Sequence, residues 1–444
     1  MKRTNTASSL RPLVGVLVTL VGCLLASQIR LYAQNQVSST GQTAIYPNQG
    51  NPINSQAVVD ASTFYPAQGD ICGVINYILS SSGEFNCGLN DSVGGVIDAR
   101  GISPKVTGSG LQCTTNPFST CGADANFAAT VLLPAATIQA QATWVVPKES
   151  RIVGEGRNLT TIQACTTNNC PQSFSGSDVI EMCPSGDDCN DTGVEHLAVD
   201  AQLLSGVNGI HNPGSQELSF VRDVALNNVA GTGLLLDNTS GNSGPYSDIY
   251  FTGTGTCAHI VGNNTRGIHG LTCTGTGSAT SAVLLDAPNN SLEDVYISGS
   301  YTNGILIGQN GAAQGNILLN INGGSSVGNV VTIANQHVSD LSILGVTTNA
   351  TRGLANSIAD NLTNTFLQDT YVGMYVVGEP VIANGGKIQA AYSRFTTSPS
   401  VPSWFVGNAA PSSSCSTGSL YSNTSGPANA TLSACVNGGW KSVK

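Results

Sequence analysis

Four aspartates introduce short apolar stretches at nearly regular spacing: Asp223-Val-Ala-Leu, Asp248-Ile-Tyr-Phe, Asp294-Val-Tyr-Ile and Asp340-Leu-Ser-Ile. Carboxylates repeated along one side of a chain can share acid and base work on a glycosidic bond, hold a cation, or accept hydrogen bonds from hydroxyls. Tyr250 and Tyr296 each stand two positions after an aspartate. An aromatic ring with a hydroxyl at its tip suits flat, hydroxyl-rich ligands. Arg222 directly precedes Asp223, and Arg266 and His269 flank a Gly-Ile pair, as proton acceptors or substrate clamps. Each group also has a plainer role. An aspartate before a strand is a common turn residue that bonds backbone N–H groups, and a tyrosine can simply pack under a loop.

These residues would be aligned by a repeat. Adding His196-Leu-Ala-Val, Gly270-Leu-Thr-Cys and Leu318-Leu-Asn-Ile gives seven copies between Val194 and Gly345. Their first apolar residues (Leu197, Val224, Ile249, Leu271, Val295, Leu319, Leu341) are 27, 25, 22, 24, 24 and 22 residues apart. A second apolar segment follows in step: Leu234-Leu-Leu, His259-Ile-Val, Val283-Leu-Leu, Ile305-Leu-Ile and Val331-Thr-Ile. Gly, Asn, Ser and Thr lie between and resist helix. Such a repeat predicts an all-β solenoid of stacked parallel strands.

If the first apolar residue of each copy points inward, alternation turns outward His196, Asp223, Asp248, Tyr250, Thr272, Asp294, Tyr296, Leu318 and Asn320. Rungs stack about 4.8 Å apart, so Asp223 and Asp248 would be about 5 Å apart and Asp248 and Asp294 about 10 Å. These values approach the carboxylate separations of retaining (~5–5.5 Å) and inverting (~6.5–9.5 Å) glycosidases, and register alone does not choose. The expected catalytic set is Asp223, Asp248, Asp294, Arg266 and His269, with Tyr250, Tyr296, Thr272 and Asn320 binding substrate. No protein metal site is assigned, although a carboxylate pair one rung apart can hold Ca²⁺.

On the second strand Leu236, Val261, Leu285, Ile307 and Ile333 are expected inside, and His259 with them as a hydrogen-bonded core residue. That leaves Leu235, Ile260, Leu284, Leu306 and Thr332 outside, too apolar for a solvated face. A covering loop or side-by-side packing into a homotrimer would account for it.

The chain begins with Lys2, Arg3 and Arg11 and an apolar run from Leu13 to Ala26, the pattern of a secretory signal. Cleavage is expected after Ala33; a lipoprotein signal ending at Leu20-Val-Gly-Cys23 is the alternative. Residues 34–66 read as a flexible leader, 67–400 as the solenoid, and 401–444 as a Pro/Ser-rich linker with a disulfide-closed hairpin. No later stretch is long and apolar enough to span a bilayer, so a secreted protein with no membrane attachment is expected. Four of the 16 basic residues and none of the 26 acidic ones lie in the signal, leaving a formal charge of 12 − 26 = −14. That charge argues against nucleic acid as a partner, and a polyanion would need a cation or a local arginine cluster.

Twelve cysteines remain after Cys23 and fall into near neighbours: Cys72/Cys87, Cys113/Cys121, Cys165/Cys170, Cys183/Cys189, Cys257/Cys273 and Cys415/Cys435. In an exported chain these spacings predict local disulfides. Cys273 shares the register of core residues, so a buried free thiol is its alternative.

Asp70-Ile-Cys-Gly-Val-Ile-Asn-Tyr-Ile-Leu79 has helical apolar spacing with Asp70 as N-cap, well placed to cover the solenoid's open end. After it come Gly94-Gly-Val-Ile-Asp-Ala-Arg-Gly101, then Pro147 with Arg151-Ile-Val-Gly-Glu-Gly156, then Thr160-Thr-Ile162. Over roughly residues 68–380 this order resembles the pectate-lyase-like superfamily. The resemblance implies a right-handed, single-stranded parallel β-helix with an N-terminal capping helix, a polysaccharide partner, and Ca²⁺ as a cofactor if the chemistry is a lyase's. Its matching motifs belong to the scaffold. Arg266-Gly-Ile-His269-Gly lacks the Gly-His-Gly of polygalacturonases, and no Asp-Asp lies in the adjoining rungs, which argues against that chemistry. Two functions follow: a secreted polysaccharide lyase or glycoside hydrolase, or a non-catalytic surface or matrix protein that binds glycans or assembles.

Overall fold

A computed structural model describes residues 57–348 apart from 66–68, 81–84, 86–94, 105–109, 122–127, 183–189, 215–217, 238–242, 263, 264, 266, 278, 335–337 and 340, together with 358–360, 371–373, 404–407, 411, 415, 417–425 and 432–443. The signal, Arg266, Asp340, Cys87, Cys183 and Cys189 lie outside the described residues. No described helix is long and apolar enough to cross a membrane.

Two long parallel sheets wrap one apolar core. Sheet A stacks Gly193–Asp200, Phe220–Val229, Tyr246–Gly253, Ile268–Gly275, Ser291–Gly299, Ile317–Gly323 and Ser342–Thr348 as consecutive rungs. Sheet B stacks Asn208–Asn212, Thr232–Leu236, Thr256–Ile260, Ser281–Leu285, Asn303–Ile307 and Asn329–Ile333 in step with it. The chain is thus an all-β parallel solenoid. Sheet A starts earlier, with Ala57–Asp60 paired in register to Gly95–Asp98, inside the span read as leader. It ends at Tyr371–Gly373 on Ser342–Leu344.

Six successive sheet A rungs, from Gly193–Asp200 to Ile317–Gly323, are bent at one level by a residue in the left-handed region. His196, Asp223, Asp248, Gly270, Asp294 and Asn320 have φ between 50° and 68° and form one column. A short polar side chain, or no side chain, makes that conformation tolerable, and the aspartates stand at a bend within the strands rather than at a turn before them. Beyond the bend alternation resumes: Val224, Ile249, Leu271, Val295 and Ile321 are buried at the same level.

Across the interior, Gly233 lets Phe251 in. A Cβ on Gly233 would lie 2.5 Å from the Phe251 ring and 2.5 Å from the Cys257 carbonyl oxygen. Cys273, a core position, is joined to Cys257 in sheet B, which resolves it as a cross-coil disulfide. Helix α1 (Ile71–Leu79) forms where expected, with Asp70 accepting from the N–H groups of Cys72 and Gly73. Its apolar face enters the solenoid core.

Three expectations are corrected. Cys72 bonds Cys113, not Cys87, because α1 sits against the strand Leu111–Cys113; Cys113 is therefore not bonded to Cys121, which is itself disulfide-bonded. Cys165–Cys170 and Cys415–Cys435 form as expected. On sheet B, Ile260 pairs with Leu236, so Ala258 and Ile260 face inward while Val261 is exposed and His259 points out. A one-residue slip turns every side chain to the other face. The outward column then runs Glu181, His211, Leu235, His259, Leu284, Leu306, Thr332, so His259 stands where Ile260 was expected on the apolar face that suggested a homotrimer. On sheet A, Ile321 rather than Leu319 pairs with Val295, which buries Leu318 and turns Leu319 out. In the next rung Leu344 and Val346 pair with Leu319 and Ile321, so Gly345, not Asp340, stands at the column's level.

At the C-terminus Trp404–Gly407, Leu420–Asn423, Leu432–Val436 and Gly439–Ser442 form a separate four-stranded sheet. The last three are antiparallel neighbours.

Candidate functional site

The corner column opens into a cavity at its N-terminal end. Arg151–Val153 pairs with Gly193–Glu195, and Thr161–Gln163 pairs with Ala198–Asp200. Seven residues, 154–160, therefore stand where the next rung has two, His196 and Leu197. The loop is anchored by Gly154 N–H to the Glu195 carbonyl (2.9 Å) and Gly156 N–H to the His196 carbonyl (2.8 Å). Only glycine fits at 154, since a Cβ there would lie 2.3 Å from the His196 carbonyl oxygen. Thr160 ties the loop down, accepting from Glu155 N–H at 2.9 Å and donating to the Pro134 carbonyl at 2.8 Å.

The loop carries Glu155 and Arg157 out over the column. A cavity of about 370 Å³ lies beneath, lined by Arg100, Glu155, His196 and Asp223 with Leu132, Val153, Gly154 and Gly156. His196 Nδ1 is 2.9 Å from Asp223 Oδ2, and Arg157 reaches Asp223 Oδ1 at 3.2 Å. The same guanidinium lies over the Tyr250 ring, 3.7 Å from its centroid, one rung further on. His196 Nε2 stands 3.7 Å from Glu195 Oε2, and Glu195 also accepts a hydrogen bond from Arg222. Arg222 and Arg151 both lie over the Phe220 ring, at 5.4 and 5.3 Å. Arg100 is held by Asp98 through two hydrogen bonds of 2.9 and 2.8 Å, and those bonds keep the Asp98 carboxyl below its usual value. Its Nε lies 3.6 Å from Glu155.

The expected residues divide. Asp223 and Tyr250 belong to this cluster. Tyr250, Thr272 and Tyr296 occupy one column in successive rungs, both rings partly exposed (37% and 43%). Asp248 is exposed one rung from Asp223, and Asp294 lies two rungs beyond, accepting a hydrogen bond from Asn320 at 2.6 Å. His269 sits in the neighbouring column, paired with Glu293 at 3.0 Å. Arg222 serves Glu195. Sequence reading did not single out Arg100, Glu155, Arg157 or His196 for the site. The signal present was Arg151-Ile-Val-Gly-Glu-Gly-Arg157, read as scaffold although its loop carries two charges.

The Asp223–Asp248 pair does not fit Ca²⁺. Both oxygens of Asp223 are engaged by His196 and Arg157, so a divalent cation would have to displace the guanidinium from one of them. No group of three or more metal-ligating side chains is present among the described residues.

A second polar group lies on sheet B. Asp178 accepts from Asn208 (2.8 Å) and Ser177 (2.6 Å) and faces His211 Nδ1 at 3.4 Å. Burial would raise Asp178, but hydrogen bonds from His211, Ser177 and Asn208 outweigh it and hold the carboxyl low. Burial would lower His211, but the bond to Asp178 and its charge, with Glu181 and Asp237, raise it. Glu181 is raised by burial and then by Asp178. Two rungs on, His259 meets Asp286 at 3.1 Å, and Asn310 donates to the same carboxylate.

No protein-family model matches the chain, and no curated protein sequence does. Among solved structures, the chain is similar to the A-module of the mannuronan C-5 epimerase AlgE4 of Azotobacter vinelandii, at 11% identity and a TM-score of 0.28, over 73% of this chain and all of that one. It is also similar to ORF18 of Geobacillus virus E2, at 12% identity and a TM-score of 0.33, over 72% of this chain and 62% of that one.

Proposed function

We propose that the chain is a secreted, carbohydrate-active member of the pectate-lyase-like superfamily that binds a polysaccharide lengthwise on the outward face of sheet A. The observation that carries this reading is the Tyr250–Thr272–Tyr296 column leading away from the cavity. Tyr296 offers a stacking ring two rungs, about 10 Å, from Tyr250, whose ring carries the Arg157 guanidinium on one face and is otherwise partly exposed to an extended glycan. Thr272 between them, and Asp248, Asp294 and Asn320 beside them, offer hydrogen bonds to hydroxyls. The cavity, with its acidic, basic and imidazole groups, then receives the sugar at the N-terminal end of that track.

Affinity electrophoresis of the exported protein against cellulose derivatives, xylan, mannan, pectin and alginate tests the reading, run with and without Ca²⁺. Retardation by at least one polysaccharide is expected. Tyr250→Ala and Tyr296→Ala should each weaken it about tenfold, equivalent to roughly 1.4 kcal/mol. Unchanged mobility in the double variant would remove sheet A as the binding face.

A further inference from the structure

Of the six residues in the corner column, five are Asp, Gly or Asn; His196 is the exception, at φ 57°. As a turn residue an imidazole gains nothing over asparagine at that bend. What it does instead is visible in its contacts. Asp223 holds Nδ1 at 2.9 Å and is itself held by Arg157, while the ring remains 43% exposed in a cavity that also contains Glu155. Glu195 lies 3.7 Å from Nε2 but is occupied by Arg222. An imidazole oriented through one nitrogen by a carboxylate, its ring partly exposed in the wall of a cavity, is arranged for proton transfer.

We propose that this cavity is a glycoside-hydrolysing centre in which His196 is the general acid, Glu155 the general base and Asp223 the residue that positions the imidazole. The proposal rests on the reading of sheet A as a polysaccharide-binding face. In the step, the Glu155 carboxylate takes a proton from water as the water oxygen bonds to the anomeric carbon. The glycosidic C–O bond breaks, its electron pair goes to the leaving oxygen, and that oxygen takes the proton from His196 Nε2. Solvent returns the proton from Glu155 to His196. One water is consumed, one new reducing end appears, and direct displacement inverts the anomeric configuration.

The test uses the full exported chain, the polysaccharides named above, and His196→Asn, because asparagine keeps the left-handed corner folded. Reducing ends are counted by NMR, which also reports the anomer first formed. The wild type should cut a polysaccharide that it binds, releasing the inverted anomer, with a bell-shaped pH dependence. His196→Asn should bind within twofold of wild type yet lose at least about 100-fold in kcat, together with the alkaline limb of the profile. Glu155→Gln should lose the acidic limb, and Asp223→Asn should lower kcat with KM within about twofold of wild type. Binding without cleavage by the wild type, cleavage by His196→Asn within threefold of wild type, or products with an unsaturated end would each overturn the hydrolytic centre while leaving the binding face intact. Absence of binding to every polysaccharide would instead overturn the face on which the proposal rests.

Discussion

Asp178 and His211 show how a buried ion pair ties stability to pH. His211 is raised above its ordinary 6.5, so its contribution is present below that value and is lost as pH rises through the raised one. Glu181, raised above 4.5, acts in the same direction. Asp178, Asp286 and Asp98 are lowered below 3.8, and their contributions are lost as pH falls through the lowered values. The melting temperature should therefore be highest in mildly acidic solution and decline from pH 6 to 9. His211→Asn should flatten that decline, as measured by thermal melts across the range; parallel curves for the two proteins would show that His211 is not its source. Neither pair was legible in the sequence. Asp178 and His211 are separated by 33 positions, and a one-residue shift in the second-strand register had turned the neighbouring His259 inward.

The corner is the element on which the site depends. A one-residue bend at Asp223, Asp248, Gly270, Asp294 and Asn320 keeps the rungs in register, whereas the loop 154–160 swells the same corner into a cavity wall. Asp248→Asn should change stability by less than about 0.5 kcal/mol, since asparagine accepts the conformation as readily. Asp248→Ile should cost about 1–2 kcal/mol, because a branched Cβ crowds the following carbonyl. Urea denaturation of both variants decides it: equal midpoints would mean that backbone conformation is not what selects these residues. Buried polar ladders support the corners that precede the sheet A strands. Asn316 accepts from Asn290 N–H at 2.8 Å, and Asn290 from Thr265 N–H at 3.1 Å. The aspartates were visible in the sequence as a column, and their turn role was weighed there. The left-handed bend that explains them was not, because it falls inside what reads as one straight strand.

At the scale of the whole molecule, each rung touches chiefly its neighbours, so damage should stay local before it spreads. Phe251 is 1% exposed and fills the space left by Gly233. Phe251→Ala should cost about 3–5 kcal/mol. Hydrogen exchange should show protection lost first in Thr232–Leu236, Tyr246–Gly253 and Ile268–Gly275, with the rungs near Ala129–Leu132 retained. Uniform loss along the coil would mean that the solenoid unfolds as one unit.

The repeat of apolar doublets, with turn formers between, was enough by itself to determine an all-β parallel solenoid, because burial on a fixed period leaves few other ways to hide those side chains. It also put Asp223, Tyr250, Thr272 and Tyr296 on one face, since alternation along a strand is a local property. What only the tertiary structure decided was which groups meet. Arg157 reaches Asp223, and Glu155 shares a cavity with His196, because a glycine-bearing loop leaves the corner one rung earlier and leans across later rungs. Cys72 finds Cys113 because a helix folds against a strand 41 positions away in the chain. Contacts between rungs depend on register and loop direction, and neither is encoded in the spacing of any one strand.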